Sequence, residues 1–596
     1  MTDIGYNSGA PSGSHGGGRS LAECRTWAER RRRLKEIRRA HVEDRCRDEA
    51  LDDTPCESPA RAVGPDPVID LVTDRLTGRG RFYYAIAVVI PVLVMAYTLV
   101  PLTDHVNVPR FAVYGGALLV GLIAVRWALE EPLFLLLLIT AYIPFQRQLA
   151  GDFEGLIPAF NYTNALLLLL VTAWVVRARN SSDSMVRYHQ LDIPILLFVF
   201  VSSVALFRAE ISLHDSPVFV LLNPWKRWMV PFFIYFAVVN MVKTKKEIRL
   251  ILLTVCFTTA VIGIFGFKEG YIDKAHYGKL AKRRISVVTT PNDLGALFAY
   301  YIPYLFAYLA LNWHSLRYHL LWPLIAVCVR ATVLTYSRGG QLALGVGLLA
   351  LLAVARIKFF VLIVIPVAVI CLTNPDVVPP QLIGRMDQTV DEEVIDHKTG
   401  EVVGGGLDKS SQARLEIWST AIRMIKDKPL LGFGYGTFSK NIPKYDPTLV
   451  KQLPDGSVIG RDAHSAYLRL AVEQGLPALI LLLLVFGLCG YMAIYVYRQS
   501  DDHFYRIFSA GYFGGLIGLI IANIFGSRFE TNEITVQFWI LTACLAVVYR
   551  VIRERKHRVA MHGHVTRTNR RRELLGLPAT VPAEVDPERG VTKVEE

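Results

Sequence analysis

Two arginines and one histidine, far apart in the chain, have the residue types for one particular chemistry. They are Arg338 in Thr335-Tyr-Ser-Arg338-Gly-Gly340, Arg414 in Ala413-Arg414-Leu-Glu-Ile-Trp418, and His464 in Ala463-His464-Ser-Ala-Tyr467. A guanidinium is always charged and grips two phosphate oxygens at once, so fixed arginines can stabilise charge growing on a leaving diphosphate without a metal ion. Histidine titrates near neutrality and can take the proton of an acceptor hydroxyl. Together the three suit transfer of a glycan from a lipid pyrophosphate, provided they meet at one membrane face. Alone, each is weak: an interfacial arginine often only snorkels, and a histidine at a helix start is more often structural. Four further arginines are candidates for binding an anionic substrate. Arg385 and Arg461 lie in the same polar loop as Arg414, and Arg284 closes the basic group Lys279, Lys282, Arg283 and Arg284. Arg330 lies about two turns inside an apolar run, where an unpaired charge costs roughly 2.5–3.5 kcal/mol, so it should face the bundle interior or a wet cavity. No acidic pair and no metal-ligand spacing accompany these residues, so neither a metal nor a cofactor is expected.

The elements that must position them belong to a membrane protein. Of 596 residues, 52% are hydrophobic. Apolar runs fall at 82–102, 111–128, 132–146, 161–177, 192–207, 228–242, 248–267, 294–312, 319–336, 340–355, 358–373, 476–497, 507–525 and 534–552. This pattern predicts an all-α polytopic membrane protein with about 12–14 transmembrane helices. About eleven belong to residues 81–373 and about three to 464–552, flanked by a charged, partly disordered tail at 1–80 and a basic disordered tail at 553–596. No apolar stretch precedes Phe82, so the first span is expected to serve as anchor. The net charge of +13 resides in short connections and tails, which is the positive-inside pattern, and nucleic acid is not expected as a partner. With both termini inside, the long loop lies outside. The basic stretch 268–293 is an exception to the pattern, which suggests either an anionic ligand there or a connection that lies on the other side. The eight cysteines avoid the long loop, so no disulfide framework is expected.

That loop, 374–463, is far longer than a simple turn between spans requires. Ser411 to Ile425 reads as an amphipathic helix with Leu415, Trp418, Ile422 and Ile425 on its apolar face and Ser410 or Ser411 as N-cap. Pro429 ends it. Gly432-Phe-Gly-Tyr-Gly436 reads as a turn that lets backbone pass close to another element, and Asp391–Asp408 as a flexible insertion. Asp462 is the expected N-cap of a helix that His464 begins.

These motifs, with Pro429-Leu-Leu-Gly432-Phe-Gly434 and Glu473-Gln-Gly475, resemble the O-antigen ligase/O-antigen polymerase superfamily over roughly residues 290 to 500. The resemblance implies a metal-independent, inverting glycosyltransferase of the GT-C type in a bacterial cytoplasmic (inner) membrane. It implies a polyprenyl-diphosphate-linked (undecaprenyl diphosphate) glycan as donor, and a glycan, lipid or protein acceptor on the periplasmic side. By the same resemblance Arg338 and Arg414 bind the diphosphate, and His464 activates the acceptor. Glu473 matches a recurrent Glu-x-Gly, for which a helix-end contact is the plain reading. Members of the superfamily ligate glycan to lipid A core in lipopolysaccharide assembly, polymerise repeat units or glycosylate proteins, and the motifs do not choose among these. Two readings of other classes stand beside it. A lipid-linked glycan flippase would draw on Arg330, though no internal repeat relates the halves. A membrane scaffold would use the basic tails.

Overall fold

The computed structural model describes residues 132–146, 162–180, 188–212, 218–270, 287–361, 365, 392–395, 402–406, 409–452 and 458–574. The tail 1–80, the runs 82–102 and 111–128, most of 358–373, and Arg284 and Arg385 lie outside them. The chain order is α1 (Pro132–Tyr142), α2 (Tyr162–Asn180), α3 (Asp192–Ser212), α4 (Val218–Met241), α5 (Lys245–Lys268), α6 (Pro291–Leu311), α7 (Leu321–Leu334) and α8 (Arg338–Ala355). Then come β1 (Glu392–Ile395), β2 (Val402–Gly406), α9 (Lys409–Asp427), α10 (Phe438–Tyr445), β3 (Val450–Gln452), β4 (Val458–Gly460), α11 (Ala466–Gln474), α12 (Leu476–Gln499), α13 (His503–Ile524) and α14 (Asn532–Leu574). Among the described residues, eight helical stretches are long and apolar enough to cross a membrane: those of α3, α5, α6, α7, α8, α12, α13 and α14. The chain is an all-α polytopic membrane protein.

Three spans form the centre, and they approach through glycine. A Cβ on Gly340 of α8 would stand 2.8 Å from Gly295 Cα of α6, and one on Gly347 would stand 2.7 Å from the Gly514 carbonyl of α13. Gly518 of α13 meets the Ala299 carbonyl of α6 at 2.7 Å on the same test. Lipid is as apolar as leucine, so small residues that admit backbone contact drive such packing. Around this seam the buried tyrosines of α6 find partners: Tyr301 donates to the Glu533 carbonyl at 2.9 Å, and Tyr304 to Tyr300 Oη at 3.2 Å.

Three expectations need correction. The insertion 391–408 contains an antiparallel pair, β1 with β2, so it is not simply flexible. The tail after Arg553 continues α14 as helix to Leu574, because no proline interrupts that charged, helix-favouring sequence before Pro578. The run 228–242 is the second half of the longer α4, whose first half holds Lys226 and which has Pro224 and Pro231 inside it.

Candidate functional site

Arg338 owes its place to a break between two spans. Tyr336 adopts φ +56°, which ends α7, and Thr335 Oγ1 accepts the Ser337 N–H at 3.1 Å. Ser337 then caps α8, its Oγ accepting the Gly340 N–H at 3.2 Å. Arg338 is the first residue of α8, and the glycines behind it pack against Phe525 and Gly295. A side chain at Gly339 would strike Phe525 after α13, and one at Gly340 would strike the backbone of α6.

Arg414 stands on α9, whose buried stripe is Ile417, Ala421 and Met424. This corrects the expected apolar face, since Leu415 and Ile422 are about half exposed and only Trp418 and Ile425 pack, partly buried, on the loop's core. Helix α9 begins at Lys409, so Ser410 and Ser411 are in its first turn rather than capping it. Ile417, Ala421 and Met424 form a small core with Phe433, Phe438, Ile442, Leu449, Ala463 and Val472. The loop thus carries its own hydrophobic centre. Backbone bonds tie it to the spans, with Tyr435 N–H donating to Ala205 O of α3 at 3.0 Å.

Arg338, Arg414 and a third guanidinium, Arg528, line one open cleft together with Asn292, Tyr336 and Phe525. Arg528 opens the short 3-10 turn between α13 and α14, and its Nη1 pairs with Asp293 Oδ1 at 2.7 Å. Arg528 is not among the candidates that the sequence offers. It sits in the connection 526–533 between two apolar runs, and the signal that singles out Arg284, a basic residue in such a connection, would find it.

His464 sits beside this cleft rather than at a helix start. Helix α11 begins at Ala466 with Ser465 as its N-cap residue, so Asp462 is not the cap. Instead Asp462 Oδ2 accepts the His464 N–H at 3.2 Å and lies 3.8 Å from His464 Nδ1. His464 has φ +47°, and it and Tyr336 are the non-glycine residues with positive φ among those described. Both fall at the motifs, where local strain is commonly stored. Trp418 Nε1, one turn along α9 from Arg414, donates to the Ala463 carbonyl at 3.1 Å, tying α9 to the His464 turn. Desolvation lowers the His464 pKa below its ordinary value; Asp462 opposes this, and the guanidinium groups of Arg414, Arg528 and Arg461 add to it. The imidazole is therefore biased toward the neutral, proton-accepting form.

Glu473 does more than contact a helix end. Buried at 3% exposure, its carboxylate accepts the N–H of Gly436 at 2.9 Å and of Phe438 at 3.1 Å. The glycine-rich turn does open on a short helix, α10, but an internal carboxylate already fills its N-terminus, leaving no room there for a phosphate. Gly432 and Gly434 have φ +61° and +111° and run against the Glu473 backbone and Ala209, which is the close passage expected of that turn. Arg461 is exposed, outside the cleft lining, and acts on His464 through its charge. Arg330 is also exposed, outside the cleft lining, rather than inside the bundle. Helix α7 ends at Leu334, one turn beyond it, so the guanidinium lies close enough to the helix end to snorkel.

Residues 323–483 match the family described as O-antigen ligase. The chain carries an O-antigen ligase family domain. That domain runs from α7 into α12 and holds Arg338, Arg414, His464 and Glu473. Arg528 lies beyond it, as do Asn292 and Phe525, so the cleft of this O-antigen ligase domain is completed by residues on both sides of the matched stretch. No curated protein matches the chain.

Proposed function

We propose that the chain is a metal-independent, inverting glycosyltransferase that moves a polyprenyl-diphosphate-linked glycan to an acceptor at the periplasmic face of a bacterial inner membrane. The observation that carries this is the convergence of Arg338, Arg414 and Arg528, from three separate segments, on one open cleft with His464 beside it. In the reaction the acceptor hydroxyl gives its proton to the His464 imidazole, and its oxygen attacks the anomeric carbon from the face opposite the diphosphate. The bond from that carbon to the phosphate oxygen breaks, and the electron pair leaves on the diphosphate. Arg338 and Arg414 neutralise the charge that develops there, which fixed guanidinium groups do without reorganisation. Arg528, already paired with Asp293, contributes a shared positive charge at the cleft wall.

Topology supports the side. The short connections are basic on the face opposite the long loop, which supports an outside position for Arg414 and His464. Acceptors compatible with this site are lipid A core, a growing glycan or a protein hydroxyl. The test is replacement of Arg338, Arg414 or His464 by alanine in cells, with surface glycan and protein level measured together. Each replacement should abolish surface glycan at unchanged protein level, and undiminished glycan from a normally inserted triple variant would sink the reading.

A further inference from the structure

A cluster of charges behind His464 is not used by the transfer as described above. Arg469, on α11, reaches three carboxylates on three different segments. Its Nε lies 3.2 Å from Glu473 Oε1, and its Nη1 lies 2.9 Å from Glu530 Oε2 and 3.5 Å from Asp462 Oδ1. Asp462 is thus held at both ends, by Arg469 on Oδ1 and by the His464 N–H on Oδ2. Glu473 anchors the arginine from below, itself fixed by the Gly436 and Phe438 amides. Glu530 anchors it from the turn that also carries Arg528.

We propose that Arg469 is a positioning residue for His464, acting through Asp462, in the transfer proposed above and resting on that reading. The left-handed backbone at His464 is unfavourable for a side-chain-bearing residue, and the Asp462 carboxylate is the group that closes its turn. By claiming Oδ1, Arg469 limits how far the aspartate can swing onto Nδ1 and pull the imidazole into its cationic, proton-loaded form. The groups facing His464 are Asp462, Arg414 from α9, Arg528 from the turn after α13, and Arg461 from the end of β4. Those facing Arg469 are Glu473, Glu530, Asp462 and Tyr435. Burial raises the Glu530 carboxyl to about 7, with Arg469 pulling it down and Glu473 and Asp462 pushing it up.

The experiment reads the His464 titration directly on the purified full chain in detergent. Diethyl pyrocarbonate modifies neutral imidazole, and mass spectrometry of the peptide containing His464 gives its modification rate against pH. Asp462→Asn keeps an acceptor for the His464 N–H but removes the charge, so the midpoint should fall. Arg469→Gln frees the aspartate, so the midpoint should rise, with Arg469→Lys returning it part-way to the wild-type value. The double variant should sit with Asp462→Asn, because Arg469 acts through that carboxylate. Simple loosening of the loop would instead carry both single variants upward, toward the free-imidazole value, and that outcome, or additivity in the double variant, overturns the proposal. Shifted midpoints with undiminished surface glycan in His464→Ala cells would overturn the base role assigned to His464 and leave the Asp462–Arg469 tie standing.

Discussion

The membrane core beneath Arg338 and the loop core beneath Arg414 and His464 hold their charges by opposite means. Beneath Arg338, α6, α8 and α13 meet at glycines, backbone against backbone at Gly340, Gly347 and Gly518. Beneath Arg414 and His464, a small apolar cluster is supplemented by single polar ties: Trp418 to Ala463, Glu473 to two amides, and Arg469 to three carboxylates. A glycine seam resists any displacement, whereas a polar tie can be broken one bond at a time. One cleft therefore has a rigid wall and an adjustable one. In the proposed transfer, a site that admits a lipid-linked donor and then releases its diphosphate would be well served by that asymmetry.

Four tests, one to each region or tie, probe the contrast. The largest effect is expected on the loop side at Glu473. Replacing it by alanine removes one of the three carboxylates on Arg469 and strands two backbone donors in a largely buried setting, and breaking such a cluster costs roughly 3 kcal/mol or more. Thermal unfolding of the purified protein should show a separate early loss of the loop, with the spans melting later. A single unchanged transition would mean the loop is not an independent unit.

Next is the pair Ile417→Ala and Leu415→Ala on α9. The first deletes a fully buried side chain and should cost about 2–4 kcal/mol, the second less than about 0.5 kcal/mol. Equal losses would restore the apolar face expected from spacing alone.

On the rigid side, Gly340→Ala places a methyl 2.8 Å from Gly295 Cα, a backbone atom that cannot turn away. Overpacking of this kind costs roughly 1–3 kcal/mol and should displace Arg338, so surface glycan should fall further than stability. Gly345→Ala on the same helix meets nothing within 4 Å and serves as the neutral comparison.

The smallest effect on stability is expected at Trp418→Phe, which keeps a ring and removes the N–H that reaches Ala463. About 1 kcal/mol is at stake in such a bond. Transfer should nonetheless drop severalfold, because this bond ties the helix of Arg414 to the turn of His464. Transfer at the wild-type rate with a lowered melting temperature would show that the tie is structural only.

The sequence by itself determined the class, the eight spans found among the described residues and the residue types of the chemistry. A run of about 20 apolar residues folds as a helix in lipid because every backbone group must be satisfied within the segment, and that is a local fact. The motifs around Arg338, Arg414 and His464 were legible for a similar reason, since each keeps its turn or helix residues within a few positions of the charge. What tertiary structure alone decided depends on partners far away in the chain. Arg528 is defined by Asp293, 235 residues earlier, and Glu473 by amides 35 and 37 residues before it. Helix α9 carries two overlapping apolar stripes of legitimate helical spacing, and only the packing of Phe438, Ile442 and Val472 against one of them selects Ile417, Ala421 and Met424. Periodicity limits which faces can be buried, but the neighbours decide which face is.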